Sequence, residues 1–339
     1  MTKLSDLKIV FDLEEKEWRD FVYSHPKGSI FQTPYMANVY EDTSKYEPFI
    51  IAVLDDKRQI LALLLAVIQK EHKGFLGRLS SRAIIHGGPL IKNENKEVLS
   101  FLLEHYNKSI KGRAIYTQIR NQFEQTELKD VYSRHGFKHE EHLNILIHLE
   151  KSTESLWKEV HTKRRNEIRR ALKEGVSFKM SNTLDSLKMS YDILTEVYNR
   201  AMLPIPHFSH FKALQDNSDA NTGLRIAVAT YQEEIIGCML VLIYKENIYD
   251  YYAGADSTFY KKFPNHLIPW EVFKWGKEND FSLFDFGGAG KPNIPYGVRE
   301  YKKKFGGHFV NYGRFTIIHT HFTYVIAKLG FLLWKKMKK

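Results

Sequence analysis

At 339 residues the chain is long enough for two domains of about 150 residues each, and its 43% hydrophobic and 27% charged content supports packed cores and excludes wholesale disorder. A formal charge of +10 and a pI near 9.3 point to an anionic partner: a phosphorylated substrate, a nucleic acid or the face of a membrane. One cysteine, Cys238, in the apolar run 235–243, excludes an internal disulfide framework and suits a reducing compartment, where we read it as core.

In chain order, residues 8–11 read as a strand and 14–24 as a helix with Trp18, Phe21 and Val22 at helical spacing. Residues 29–34 form a turn, and Pro34 opens a second short helix. Strands follow at 48–54 and 59–69, and an extended piece at 83–91 is interrupted by Gly87-Gly88-Pro89. A helix at 94–109, a strand at 113–119 and a helix at 124–134 lead to an extended pair over 137–149, turning at 139–142. The order then begins again. One basic helix is predicted over 156–174, a strand at 176–180, and helices at 186–201 and 208–216. Three consecutive strands (224–231, 234–244, 247–255), a helix at 265–278, a strand at 283–286 and, past a Gly-rich stretch, a strand at 310–318 complete the second half.

The repeated order implies a mixed α/β fold of two similar lobes, 1–150 and 151–320, with a cleft between them, and a basic amphipathic helix over 321–339. It is the element order of the acetyltransferase superfold in duplicate, and such a fold does not fix chemistry. No metal-ligand spacing, P-loop or nucleophile elbow occurs. His319 and His321 read as structural.

Three segments carry candidate chemistry. The basic helix presents Lys163, Arg164, Arg165 and Arg169, whose forked guanidiniums suit phosphates, with Ile168 and Leu172 on an apolar face. The segment 249–260 should hold the glycine-rich loop that cradles a pyrophosphate in acetyl-CoA enzymes. It offers one glycine, Gly254, and an acid, Asp256, where the anion would sit. In the third, a strand ends at Asp285, Gly287 and Gly288 let a backbone approach a ligand closely, and Tyr301-Lys302-Lys303-Lys304 follows.

Here KRRNEIRRALKEGV (163–176), YYAGAD (251–256), PWEVFKWGKENDFSLFDFGG (269–288) and YGVREYKKKFGG (296–307) resemble the FemABX family, as do SIFQTPYMANVY (29–40) and HGGPLI (86–91). The resemblance implies tandem acetyltransferase-like lobes and transfer of an amino acid from aminoacyl-tRNA to an amine on a peptidoglycan precursor. It implies Lys302 as the active-site lysine and Tyr252 on the strand facing the acceptor. Asn38, Arg200, Tyr301 and Trp270, with Gly287 and Gly288, join the expected substrate-binding set. Asn38 stands near a position that is often a phosphate-binding lysine, and the sequence 203–206 departs from the family pattern beside Arg200. The long helical arm of the peptidoglycan enzymes is missing.

Three functions therefore compete. The first is aminoacyl transfer to a cell-wall precursor. The second is acyl-CoA-dependent transfer to a sugar nucleotide or lipid-linked glycan in exopolysaccharide or capsule assembly. The third is a non-catalytic binding protein. The donor, tRNA or CoA, is a substrate, and no tightly bound cofactor is expected. A cytoplasmic location is expected, with peripheral contact at the inner face of the cell membrane. That contact rests on Phe322, Val325, Ile326, Leu329 and Leu333, which recur at helical spacing before Lys335, Lys336, Lys338 and Lys339.

Overall fold

A computed structural model describes residues 7–70 and 81–337. The chain divides into two compact units, one of residues up to 141 together with 312 onward, the other of residues 142–311.

In the first unit, strands β1 (Lys8–Val10), β2 (Tyr46–Leu54), β3 (Ile60–Gln69), β4 (Arg82–Gly87), β6 (Tyr116–Asn121), β15 (Arg314–Ile318) and β7 (Lys138–Glu140) lie in that order, with the short β5 (Leu90–Ile91) on β3. Every neighbouring pair is antiparallel except β4 and β6. Helices α1 (Glu15–Ser24), α2 (Pro34–Glu41), α3 (Lys96–Ile110) and α4 (Lys129–Arg134) belong to this unit. Helix α3 is capped by Asn95, whose side chain accepts from the N–H groups of Glu97 and Val98. Its apolar face of Val98, Leu99, Leu102, Leu103 and Tyr106 is buried.

The second sheet runs β14 (His308–Asn311), β8 (Leu143–His148), β13 (Leu283–Gly288), β12 (Asn247–Ala255), β11 (Glu234–Tyr244), β10 (Gly223–Tyr231) and β9 (Ser177–Ser181). Its single parallel pair is β12 with β13, so the two sheets repeat one plan. Helices α5 (Thr153–Glu159), α6 (Thr162–Lys173), α7 (Leu184–Arg200), α8 (Phe208–Asp216), α9 (Pro264–Glu278) and α10 (Gly297–Lys303) belong here. Phe273 of α9 sets its ring edge-on to Phe284, Phe286 and Phe305 at 4.9, 5.7 and 6.1 Å, which fixes α9, β13 and the end of α10 together. Cys238 is buried, with its thiol pushed up to about 12 by that burial.

The structure corrects the sequence expectations at several points. The pair expected over 137–149 is no hairpin, because β7 pairs with β15 in the first sheet while β8 pairs with β13 and β14 in the second. The strand expected over 310–318 is likewise two, broken at Gly313 with φ +68°. The boundaries expected at 150 and 320 therefore lie at 141/142 and 311/312. The basic helix is two helices, broken where His161 caps α6 by accepting from the Lys163 N–H. Its buried face is Arg164, Ile168 and Ala171, and Leu172 is exposed. The C-terminal helix α11 spans His321–Met337, so Lys338 and Lys339 lie outside the described residues, as does the side chain of Leu333.

Candidate active site

The two parallel pairs differ where it matters. Strands β4 and β6 stay in register from Arg82↔Tyr116 to Gly87↔Asn121. Strands β12 and β13 pair only at Asn247↔Leu283, Ile248↔Phe284 and Tyr249↔Asp285. Beyond that level both are irregular. The register of β12 on β11 shifts by one residue at Tyr251, between Asp250↔Val241 and Tyr252↔Leu240, and β13 shifts register against β8 between Asp285 and Gly288. The ladder between β12 and β13 ends at that level, which opens backbone groups between them to side chains.

Lys302 of α10 supplies one such group. Its ammonium donates to the carbonyl of Phe286 and lies 3.5 Å from Asp250 Oδ2, with the two side chains 12% and 10% exposed. Asp285 next to them is buried and accepts from the Gly287 N–H at 2.6 Å and from Asn144 Nδ2 at 3.3 Å. Burial raises both acids above the usual carboxylate range, Asp285 to about 6, against the pull of its hydrogen bonds and of Lys302. Gly287 has φ +69°, which permits the turn back onto Asp285.

Tyr252 joins this site through an aromatic wall. Its ring meets Tyr198 at 5.4 Å, Phe211 at 5.0 Å and Tyr251 at 4.9 Å. Burial, and then the nearby charge of Asp250, raise the Tyr198 hydroxyl. Buried His210, pushed down to about 4 by its burial, makes a 2.7 Å hydrogen bond with the Tyr251 hydroxyl.

Tyr301, expected among the substrate-binding residues, is tied to α9. Pro269 inside α9 has no N–H for the carbonyl of Asn265 four residues earlier, and the Tyr301 hydroxyl donates to that carbonyl instead. Tyr301 thereby fixes the helix that presents Lys302. Trp270, expected to touch substrate, is 6% exposed and packs its ring on Trp157 at 4.5 Å, so it belongs to the core. Arg200 is engaged near the surface by Glu196 at 2.9 Å and by the Tyr260 hydroxyl, and none of its described contacts is with Lys302, Asp250 or Asp285. Asn38 lies exposed on α2 of the first unit.

Of the basic set, Arg164 is no surface cation. It is 3% exposed and stacks over Tyr301 and Phe305 at 4.8 Å from each ring, while its Nε and Nη1 find no hydrogen-bond partner among the described residues. Lys163 and Arg169 are exposed and Arg165 is half-buried. His266 in the first turn of α9 is pushed down to about 3 by burial and then by the charges of Arg164, Lys304 and Lys163. The His161 N–H donates to the Lys304 carbonyl at 2.9 Å. The basic helix and the lysine run, separate in the sequence, thus converge on one region.

In the loop between β12 and α9 three backbone amides already have acceptors. Asp256 Oδ1 accepts from the Thr258 N–H at 2.8 Å, the Asp256 N–H donates to Ile236 O at 3.1 Å, and the Phe259 N–H donates to Asp256 O at 3.2 Å. In the first unit, Gln32 Nε2 donates to Gly88 O at 3.0 Å, and a Cβ on Gly87 would strike that same amide. Neutral amides fill the place there, and the buried charges belong to the second unit.

Asp250, Asp285, Tyr198 and Asn144 were not assigned from the sequence. Asp250 carried a signal: an acid among tyrosines within a strand.

The FemAB family model matches residues 13–130, and an acetyltransferase (GNAT) domain model matches residues 159–303. Among solved structures the chain is similar to FemX, with a TM-score of 0.72 and 17% identity over 94% of this chain and 99% of that one. It is similar to the C-terminal domain of a putative lysylphosphatidylglycerol synthetase from Agrobacterium fabrum, with a TM-score of 0.59 and 12% identity over 93% and 95% of the two chains. A tandem GNAT protein from the clavulanic acid biosynthesis pathway gives a TM-score of 0.58 and 9% identity over 92% and 98%. Among curated proteins none matches the sequence. At these identities the likenesses establish the fold, a tandem of acetyltransferase-like units.

Proposed function

We propose that this chain, which matches the FemAB model over residues 13–130 and an acetyltransferase (GNAT) domain model over residues 159–303, moves an aminoacyl group from aminoacyl-tRNA to an amine of a cell-wall precursor. The observation that carries this reading is the nearly buried Lys302 ammonium at the point where β12 and β13 part, beside a region of converging cations. The acceptor amine attacks the ester carbonyl of the donor, forming the C–N bond. Lys302 lies against the tetrahedral oxyanion, and loss of one such donor costs roughly 10²–10³ in rate. The C–O bond to the ribose then breaks. Asp250, held above the usual carboxylate range by burial, takes the proton of the attacking nitrogen and passes it to the departing ribose oxygen. Lys163, Arg165 and Arg169 meet the donor's phosphates, and Tyr252 faces the acceptor.

The acyl-CoA reading draws less support, because the amides of Asp256, Thr258 and Phe259 already have acceptors. The deciding experiment offers the protein a nucleotide-linked peptidoglycan precursor with either labelled aminoacyl-tRNA or labelled acetyl-CoA. Transfer from tRNA that falls roughly 10²–10³-fold in Lys302→Ala is expected. Transfer from acetyl-CoA alone would overturn the reading.

A further inference from the structure

We propose that helix α11 docks the protein on the surface of an anionic phospholipid bilayer. Phe322, Val325, Ile326 and Leu329 follow one another at the spacing of a single helix face, and they are 76%, 53%, 54% and 55% exposed. The other side of the helix is committed to its own unit. The Tyr324 ring sits edge-on to Tyr116 at 5.6 Å, and just before the helix His319 Nε2 pairs with Thr117 Oγ1 at 2.8 Å. The apolar face is therefore presented outward by a helix whose start is pinned to the first sheet.

Charge decides what covers it. From His321 to Lys339 the sequence contains five lysines and no aspartate or glutamate. A second copy of this face would bring cations onto cations with no carboxylate to meet them. A nucleic acid would satisfy the lysines and leave Phe322 and Ile326 in water. A bilayer bearing anionic headgroups satisfies both, since an interfacial helix needs buried apolar area together with attraction to negative lipid. Among the described residues no helix is long and apolar enough to cross a membrane, so the contact is one of lying on the surface. Such docking would bring a transferase beside lipid-linked acceptors.

The test uses the full chain, sedimented with vesicles of phosphatidylglycerol and phosphatidylcholine or of phosphatidylcholine alone, and compares the wild type with the double variant Phe322→Ser/Ile326→Ser. These side chains are exposed, and thermal melting checks that the variant keeps its fold. The wild type is expected to bind the anionic vesicles at least tenfold more strongly than the neutral ones, and the variant to lose at least tenfold in binding. Sedimentation velocity is expected to give a monomer for both. Absence of binding to the anionic vesicles, or equal binding by the variant, overturns the proposal. A wild-type dimer that the double variant splits overturns it in favour of a second copy as occupant.

Discussion

The Tyr301 hydroxyl donates to the carbonyl of Asn265, the group left without a helical donor by Pro269. One proline in α9 thus creates the acceptor that anchors α10 and, with it, Lys302. Tyr301→Phe should cost about 1–3 kcal/mol, the usual penalty for a buried carbonyl left alone. In a Pro269→Ala background, where an N–H returns, the same change should cost about 1 kcal/mol less. A double-mutant cycle by urea denaturation measures the difference, and additive costs would break the link.

Lys302 and Asp250 answer differently to removal. Lys302→Ala should lower the single-turnover rate roughly 10²–10³-fold. Asp250→Asn takes the nearer carboxylate from a nearly buried ammonium and should cost about 3 kcal/mol of stability as well as activity. Thermal melts alongside single-turnover assays separate the two effects.

Asp285 makes a pH prediction of unusual sign. Its folded pKa is raised from the model-compound value of 3.8 to about 6, so between those pH values the folded state binds more protons than the unfolded one. Stability contributed at low pH is lost as pH rises through about 4 to 6, a change of about 3 kcal/mol. Asp285→Asn removes the charge. Its melting temperature relative to wild type should climb across that window and level off above it; a flat difference would count against the buried acid.

The arginines of α6 separate by burial. Arg164→Ala should destabilise the second unit by about 3 kcal/mol, because the stack over Tyr301 and Phe305 is lost and a cavity opens. Arg169→Ala should stay within about 0.5 kcal/mol in stability and instead weaken tRNA binding, with a shallower dependence on salt. Chemical denaturation and binding isotherms at two salt concentrations check both.

A chain ending at residue 311 should fail to fold cooperatively, because the first sheet loses β15 from between β6 and β7. A chain ending at residue 329 retains that strand and should melt as one cooperative transition.

Most elements were legible because period-2 and period-3.6 patterns are local: Ile60–Gln69 and Lys96–Ile110 declare themselves within a few residues. The partners of β8 and β15 were not, since pairing across the chain leaves no mark in either strand's own pattern. The helix Gly297–Lys303 was hidden by flanking glycines and by its short length. Lys302 was proposed by resemblance, while its partner Asp250 lies 52 positions earlier and becomes visible only once β12 and β13 part. Trp270 misled because an aromatic residue in a resembling stretch serves core and site alike.

The placement of β15 has a consequence for synthesis. Residues up to Glu140 emerge from the ribosome first, yet the strand that completes their sheet begins at Arg314, about 170 residues later. At about 5–20 residues per second, the edges of β6 and β7 wait roughly 10–35 s for their common neighbour. The second sheet receives β8 before its other strands and β14 at Asn311, so it is complete before Arg314 is made. The half of the chain translated first is therefore the last to close, and chaperones that shield open strand edges have that interval in which to act.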